Sequence, residues 1–192
     1  MPADEISRIL KARVPRSLSG EWFRPAAVLV PVQERADGDY LVLTQRTELV
    51  NSHKGQVAFP GGRVDPEDPG PLGAALRESH EEIGINPADV RILGQLDQVT
   101  AASSYLVTPF VGLIPFPYEF RLNPAETTAV FSAPVSALLD PGCFSVDERL
   151  LGRSGPIYHF CYERWDIWGA TARIITQFLE LAYGFQGGKI RE

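Results

Sequence analysis

Apolar positions along this chain fall into short blocks of two kinds. Between Asp4 and Val14, the residues Ile6, Ile9, Leu10 and Val14 stand at helical spacing. They predict a short amphipathic helix, which Pro15 ends. A turn-rich segment follows through Ser19, Gly20 and Pro25. Ala26-Ala27-Val28-Leu29-Val30 is a continuous apolar run of strand length, so it predicts a buried strand. Asp37-Gly38 marks a hairpin, with Tyr40 to Arg46 as the returning strand. After a polar loop, Gln56 to Phe59 predicts a short strand leading into Gly61-Gly62.

Ala74 to Ile83 reads as a helix carrying acidic residues, and Gly84 stops it because glycine enters the left-handed region freely. Val90 to Leu96, Leu106 to Ile114 and Glu126 to Ser132 predict strands. Pro109 interrupts the second of these, which predicts an edge position or a bulge. Val135 to Leu139 predicts a short helix. Phe144 to Leu151 and Pro156 to Tyr162 predict a further hairpin. From about Gly169 to Tyr183, Ile174, Phe178 and Leu181 mark one face of a last helix, capped by Gly184. Strands flanked by helices on both sides predict an α/β (α+β) domain layered α-β-α. No repeat or linker divides the chain, so one domain over 1–192 is expected.

Composition narrows the partners. The formal net charge is −6, which argues against a general binder of nucleic acid or anionic membranes. A phosphate-rich small molecule remains compatible where cations neutralise it locally. Cys143 and Cys161 are too few and too far apart in sequence for a disulfide scaffold or a cysteine zinc site, so two reduced thiols in a cytoplasmic protein are expected. The acidic start, Met1-Pro-Ala-Asp-Glu5, leads into no apolar run, so no signal peptide is expected. Ala26 to Val32 is too short to span a bilayer.

The candidate chemistry lies in Ala74-Ala75-Leu76-Arg77-Glu78-Ser79-His80-Glu81-Glu82-Ile83-Gly84-Ile85. On a helix, Glu78 and Glu82 stand one turn apart, and Glu81 shares that face. Like charges at this spacing repel one another. A hard divalent cation bound through oxygen removes the conflict and leaves room for substrate phosphates. The plainer alternative is a solvated acidic face. Arg77 precedes Glu81 by four residues and can pair with it.

This segment resembles the Nudix box, Gly-x5-Glu-x7-Arg-Glu-U-x-Glu-Glu-x-Gly-U, where U is aliphatic. Arg77, Glu78, Glu81, Glu82, Gly84 and Ile85 all fall in place. From Gly62 to Arg77 the chain has one residue more than the motif. Asp68 stands where the motif has Glu, and Ser79 stands at an aliphatic position. The resemblance implies the α-β-α fold of that family with a mixed sheet.

A second stretch lies upstream. Leu43-Thr44-x-Arg46-Thr47 followed by Gly55-x3-Phe59-Pro60-Gly61-Gly62 is similar to the signature of coenzyme A pyrophosphatases, Leu-Leu-Thr-x-Arg-Ser…Arg-x3-Gly-x3-Phe-Pro-Gly-Gly. Thr47 replaces Ser and keeps its hydroxyl. Asn51 stands in place of the second Arg. Val99-Thr100, Val107 to Gly112 and Trp168-Gly169-Ala170-Thr171-Ala172 look like later segments of the same family.

The resemblance implies metal-dependent hydrolysis of the coenzyme A pyrophosphate to 3′,5′-ADP and 4′-phosphopantetheine. Glu78 and Glu82 are then the ligands of Mg²⁺ or Mn²⁺. Glu81 and Arg77 are the catalytic candidates, with Glu81 either binding a further metal or acting as base. Arg46, Lys54 and Arg63 are candidate phosphate contacts, and Gly61 and Gly62 let backbone approach the substrate. The expected partner is a small molecule, with no nucleic acid and no membrane. Two rivals stand beside it: a Nudix hydrolase of another nucleoside diphosphate such as ADP-ribose or NADH, and a non-catalytic module that binds nucleotide or metal. His53, His80 and His159 are expected to be non-catalytic. Trp22, Trp165, Trp168, Tyr158 and Phe160 are expected in the core or at an interface.

Overall fold

The computed structural model describes residues 1–18, 22–48, 54–101, 104–152 and 155–187; of 148–152 and 155 it describes the backbone alone. Ser19, Gly20, Asn51 and His53 lie outside the described residues. In chain order the elements are α1 (Ala3–Lys11), β1 (Arg24–Arg35), β2 (Gly38–Arg46), β3 (Val57–Ala58), β4 (Gly61–Arg63) and α2 (Pro71–Ile83). A 3₁₀ turn (Pro87–Asp89) precedes β5 (Arg91–Gln95), β6 (Val99–Ala101), β7 (Tyr105–Leu113) and β8 (Thr127–Pro134). The chain continues through α3 (Val135–Leu138), β9 (Phe144–Gly152), β10 (Gly155–Tyr162), β11 (Trp165–Trp168) and α4 (Gly169–Tyr183).

Eight strands form one mixed sheet along the path β3-β2-β1-β7-β5, with β4, β6 and β8 paired beside it. The β1–β2 hairpin closes at Arg35 opposite Gly38, where Asp37-Gly38 placed it. β1 also runs parallel to β7, with Ala27 opposite Thr108. Being central, β1 is buried on both faces. Its residues divide by the two-residue period of a strand. Ala27 and Leu29 face α2, packing with Ala74, Ala75, Phe110, Val42, Ile83 and Ile85. Ala26, Val30 and Val32 face the opposite side, in a cluster with Ile6 and Leu10 of α1 and Ile174 and Phe178 of α4. The sheet therefore has helices on both faces, in the α-β-α order expected.

Two expectations need correction. Pro109 sits in β7, which is an interior strand rather than an edge. Its carbonyl accepts from the Leu96 amide at 3.0 Å, so its missing N–H faces the same side. On that side the partner changes from β5, ending at Gln95, to β6, starting at Val99. The proline thus falls where no ladder acceptor is waiting. The second correction is β11, where the apolar pattern predicts no strand. Trp165–Trp168 alternates buried and exposed positions and joins β9 and β10 in a separate three-stranded sheet. The turn into it places Glu163 at φ 51°, a left-handed conformation that side-chain pattern does not announce. Among the described residues, no helix is long and apolar enough to cross a membrane.

Candidate active site

Helix α2 begins with Pro71 at its first position, where a missing N–H costs nothing, and ends at Gly84 with φ 75°. Between them, Ala74, Ala75, Ser79, Glu82 and Ile83 are buried. Ser79 occupies an aliphatic position of the box without penalty because its hydroxyl donates to the Ala75 carbonyl at 2.6 Å. His80 is exposed.

The buried face carries the acidic groups toward the Gly61-Gly62 strand. Glu82 is only 2% exposed. Its Oε2 accepts from the Gly61 amide at 3.2 Å, and its Oε1 lies 3.5 Å from Arg46 Nη1. Burial pushes its carboxyl up to about 8, against the opposing pull of Arg46 and the Gly61 amide. Glu78 is raised by the same cause, opposed by Arg77. The backbone at Gly62 lies so close to Glu78 that a Cβ there would meet its carboxylate at 2.4–2.6 Å.

A third carboxylate joins them. Glu126, just before β8, brings an oxygen so that Glu78, Glu82 and Glu126 each offer one within 4.8 Å of the others. In sequence Glu126 reads only as the head of a strand, with no pattern that announces this role. The only signal was an acidic residue closing the Asn123-Pro124 turn; no helical spacing links it to α2. Three carboxylate oxygens this close repel one another, with Arg46 beside Glu82 and Arg77 beside Glu78 as the nearby cations. Oxygen-only donors of this kind suit a hard divalent cation, so the residues present fit Mg²⁺ or Mn²⁺.

Glu81 lies outside the cluster and is half exposed on its side chain. It accepts from Arg77 Nη1 at 3.0 Å. Arg77 is the hub of this side of the helix. Its Nε and Nη2 donate to the two oxygens of Asp68 at 2.8 and 3.0 Å, and Nη1 reaches Glu78 at 3.1 Å. Asp68, standing where the motif has Glu, therefore grips Arg77 despite the shorter side chain. Arg77 in turn holds the Asp68 carboxyl below the usual range, helped by the Asp65 amide. Lys54 is exposed on the turn before β3, and Arg63 is exposed at the end of β4. The structure thus brings together Glu78, Glu82, Arg46, Gly61 and Gly62, and leaves Glu81, Lys54 and Arg63 at the margin.

Trp165 is buried and stacks on Phe131, while Trp168 is exposed and stacks with His159, whose Nδ1 lies 2.9 Å from Asp166.

The NUDIX domain family model matches residues 22–147. The chain is similar to the uncharacterized Nudix hydrolase NudL of Photorhabdus laumondii, with 40% identity over 158 residues, covering 82% of this chain and 84% of that one. It is likewise similar to NudL of Escherichia coli (strain SMS-3-5 / SECEC), with 41% identity over 155 residues and 80% of each chain. Among solved structures, a C. elegans Ap4A hydrolase binary complex superposes with a TM-score of 0.51 at 21% identity, over 58% of this chain and 80% of that one. That likeness is one of fold. The family match over 22–147 and the relatives at 40% and 41% identity together make this chain a member of the Nudix hydrolase family.

Proposed function

We propose that this Nudix hydrolase cleaves the pyrophosphate of coenzyme A, or of its derivatives, to 3′,5′-ADP and 4′-phosphopantetheine. The observation that carries the proposal is the position of Arg46. This is the arginine of the coenzyme A pyrophosphatase signature, and it stands beside Glu82 at the three-carboxylate cluster. Its Nε is buried and has no hydrogen-bond partner among the described residues. A buried donor left this way is costly unless an acceptor arrives, and a phosphate oxygen is such an acceptor.

A pyrophosphate centre repels a nucleophile, so the site must neutralise charge and position water in line. Glu78, Glu82 and Glu126 would hold Mg²⁺ or Mn²⁺, and such an ion would supply charge neutralisation at the phosphates and a water of lowered pKa. Arg46 binds a phosphate oxygen. Gly61 and Gly62, lacking side chains, leave the floor of the site open to the substrate. Arg77 keeps Glu78 and Glu81 oriented through its bonds to both.

Incubation with coenzyme A and Mg²⁺ in ¹⁸O-water, read by mass spectrometry, should yield both products with one labelled. Cleavage of ADP-ribose or NADH but not coenzyme A would favour the rival hydrolase. No cleavage of any of them would favour a binding module. Arg46→Ala is expected to lower kcat/KM for coenzyme A about 10- to 100-fold, the worth of one charge-assisted hydrogen bond. Unchanged kinetics would make Arg46 a bystander.

A further inference from the structure

Glu126 owes its place to a short strap, residues 121–126, laid across the end of α2. A helix leaves its last carbonyls without partners. Here the Asn123 amide donates to the Glu82 carbonyl at 2.9 Å and the Arg121 amide to the Ile83 carbonyl at 3.0 Å. Gly84 makes the close approach possible, since a Cβ there would meet Arg121 Cβ at 3.0 Å and its backbone nitrogen at 3.2 Å. The strap then turns back. The Asn123 carbonyl accepts from the amides of Glu126 at 3.0 Å and Thr127 at 2.8 Å, and the Thr47 amide donates to the Glu126 carbonyl at 2.9 Å.

The Asn123 side chain completes the arrangement. Its Oδ1 accepts from the Ala125 amide at 3.1 Å, and its Nδ2 donates to Glu126 Oε1 at 2.9 Å. The two partners are of opposite kind, so the carboxamide has one orientation that satisfies both. One residue therefore touches the backbone of Glu82 and the carboxylate of Glu126.

We propose that Asn123 is a positioning residue for the metal-binding carboxylates. It aims Glu126 at Glu78 and Glu82, and it registers that aim to the helix end through its own backbone. This rests on the three-carboxylate reading of the site. Carboxylate ligands are held by such outer hydrogen bonds, and losing one typically weakens metal binding 10- to 100-fold.

The test uses Asn123→Ser and Asn123→Thr. Both keep a hydroxyl that can accept from the Ala125 amide, and both are too short to reach Glu126. Mn²⁺ is titrated into chelator-stripped protein and the free ion is read by electron paramagnetic resonance. The same substitutions are made in a Glu126→Gln background, and the Tm of the stripped protein is recorded. Either variant suffices if the other does not fold. In the wild-type background the Mn²⁺ Kd should rise about tenfold, with Tm little changed. In the Glu126→Gln background it should change less than twofold, because the partner is already altered. An unchanged Kd in the wild-type background overturns the proposal. So does an equal loss in both backgrounds, which would make Asn123 structural only. If Glu126→Gln alone binds Mn²⁺ as tightly as wild type, the three-carboxylate reading falls and this inference with it.

Discussion

Replacing Glu82 by Gln is expected to remove most turnover and, in metal-stripped protein, to raise stability at alkaline pH. The substitution keeps volume and takes away one ligand charge. A bound cation contributes several kcal/mol of charge stabilisation to such a reaction, so a loss of about 10²- to 10³-fold in kcat is expected. The stability effect has a definite sign. Burial holds the Glu82 carboxyl at about 8 in the folded protein, whereas the group's ordinary value is 4.5. Between these values the native state binds the proton and the unfolded chain does not. Stability from this group is thus complete below the lower value and drains away as pH rises toward the upper one. The difference is on the order of 4 kcal/mol, or roughly 10 °C in Tm for a domain of this size. Gln resembles the protonated acid at every pH. Stripped wild type and variant should melt alike near pH 5 and diverge by pH 8, with the variant higher. Parallel melting curves across that range, or near-normal turnover with saturating Mg²⁺, would remove Glu82 from the site.

Adjacent glycines should fail in different ways. Gly61 has φ 151°, and a Cβ there would stand 2.3 Å from the Ala27 carbonyl oxygen and 2.6 Å from Val28 Cα. Those atoms belong to the backbone of β1, in the middle of the sheet, and cannot step aside. Gly61→Ala should cost about 2–5 kcal/mol through strain and overpacking together, visible as a Tm drop of about 10 °C or as insoluble protein. At Gly62 the atom in the way is the carboxylate end of Glu78, which can swing. Gly62→Ala should therefore stay within about 1 kcal/mol of wild-type stability. It should nevertheless lose metal affinity and turnover by roughly tenfold or more, because Glu78 no longer meets Glu82 and Glu126. A stable, fully active Gly62→Ala enzyme would show that the reaction does not need Glu78 where it stands. A Gly61→Ala protein as stable as wild type would contradict the tight pairing of β4 with β1.

Much of this was legible along the chain because it depends on local spacing. Helical period puts Glu78 and Glu82 on one face whatever surrounds them, and Gly84 stops the helix by its own conformational freedom. Strand-length apolar runs and the Asp37-Gly38 turn made the β1–β2 hairpin visible for the same reason. Arg46, Gly61 and Gly62 were legible through resemblance, which carries spacing across a loop that physics alone would leave open. Other decisions belong to tertiary structure. Glu126 and Asn123 reach the site only because the strap docks on carbonyls that the end of α2 leaves bare. Pro109 is tolerated inside the sheet only because its neighbour breaks between β5 and β6 at that level. Whether Glu82 is a solvated acid or a buried one raised to about 8 depends on the strands packed around it. Spacing assigns residues to a face; what that face meets is settled by parts of the chain that no local pattern connects.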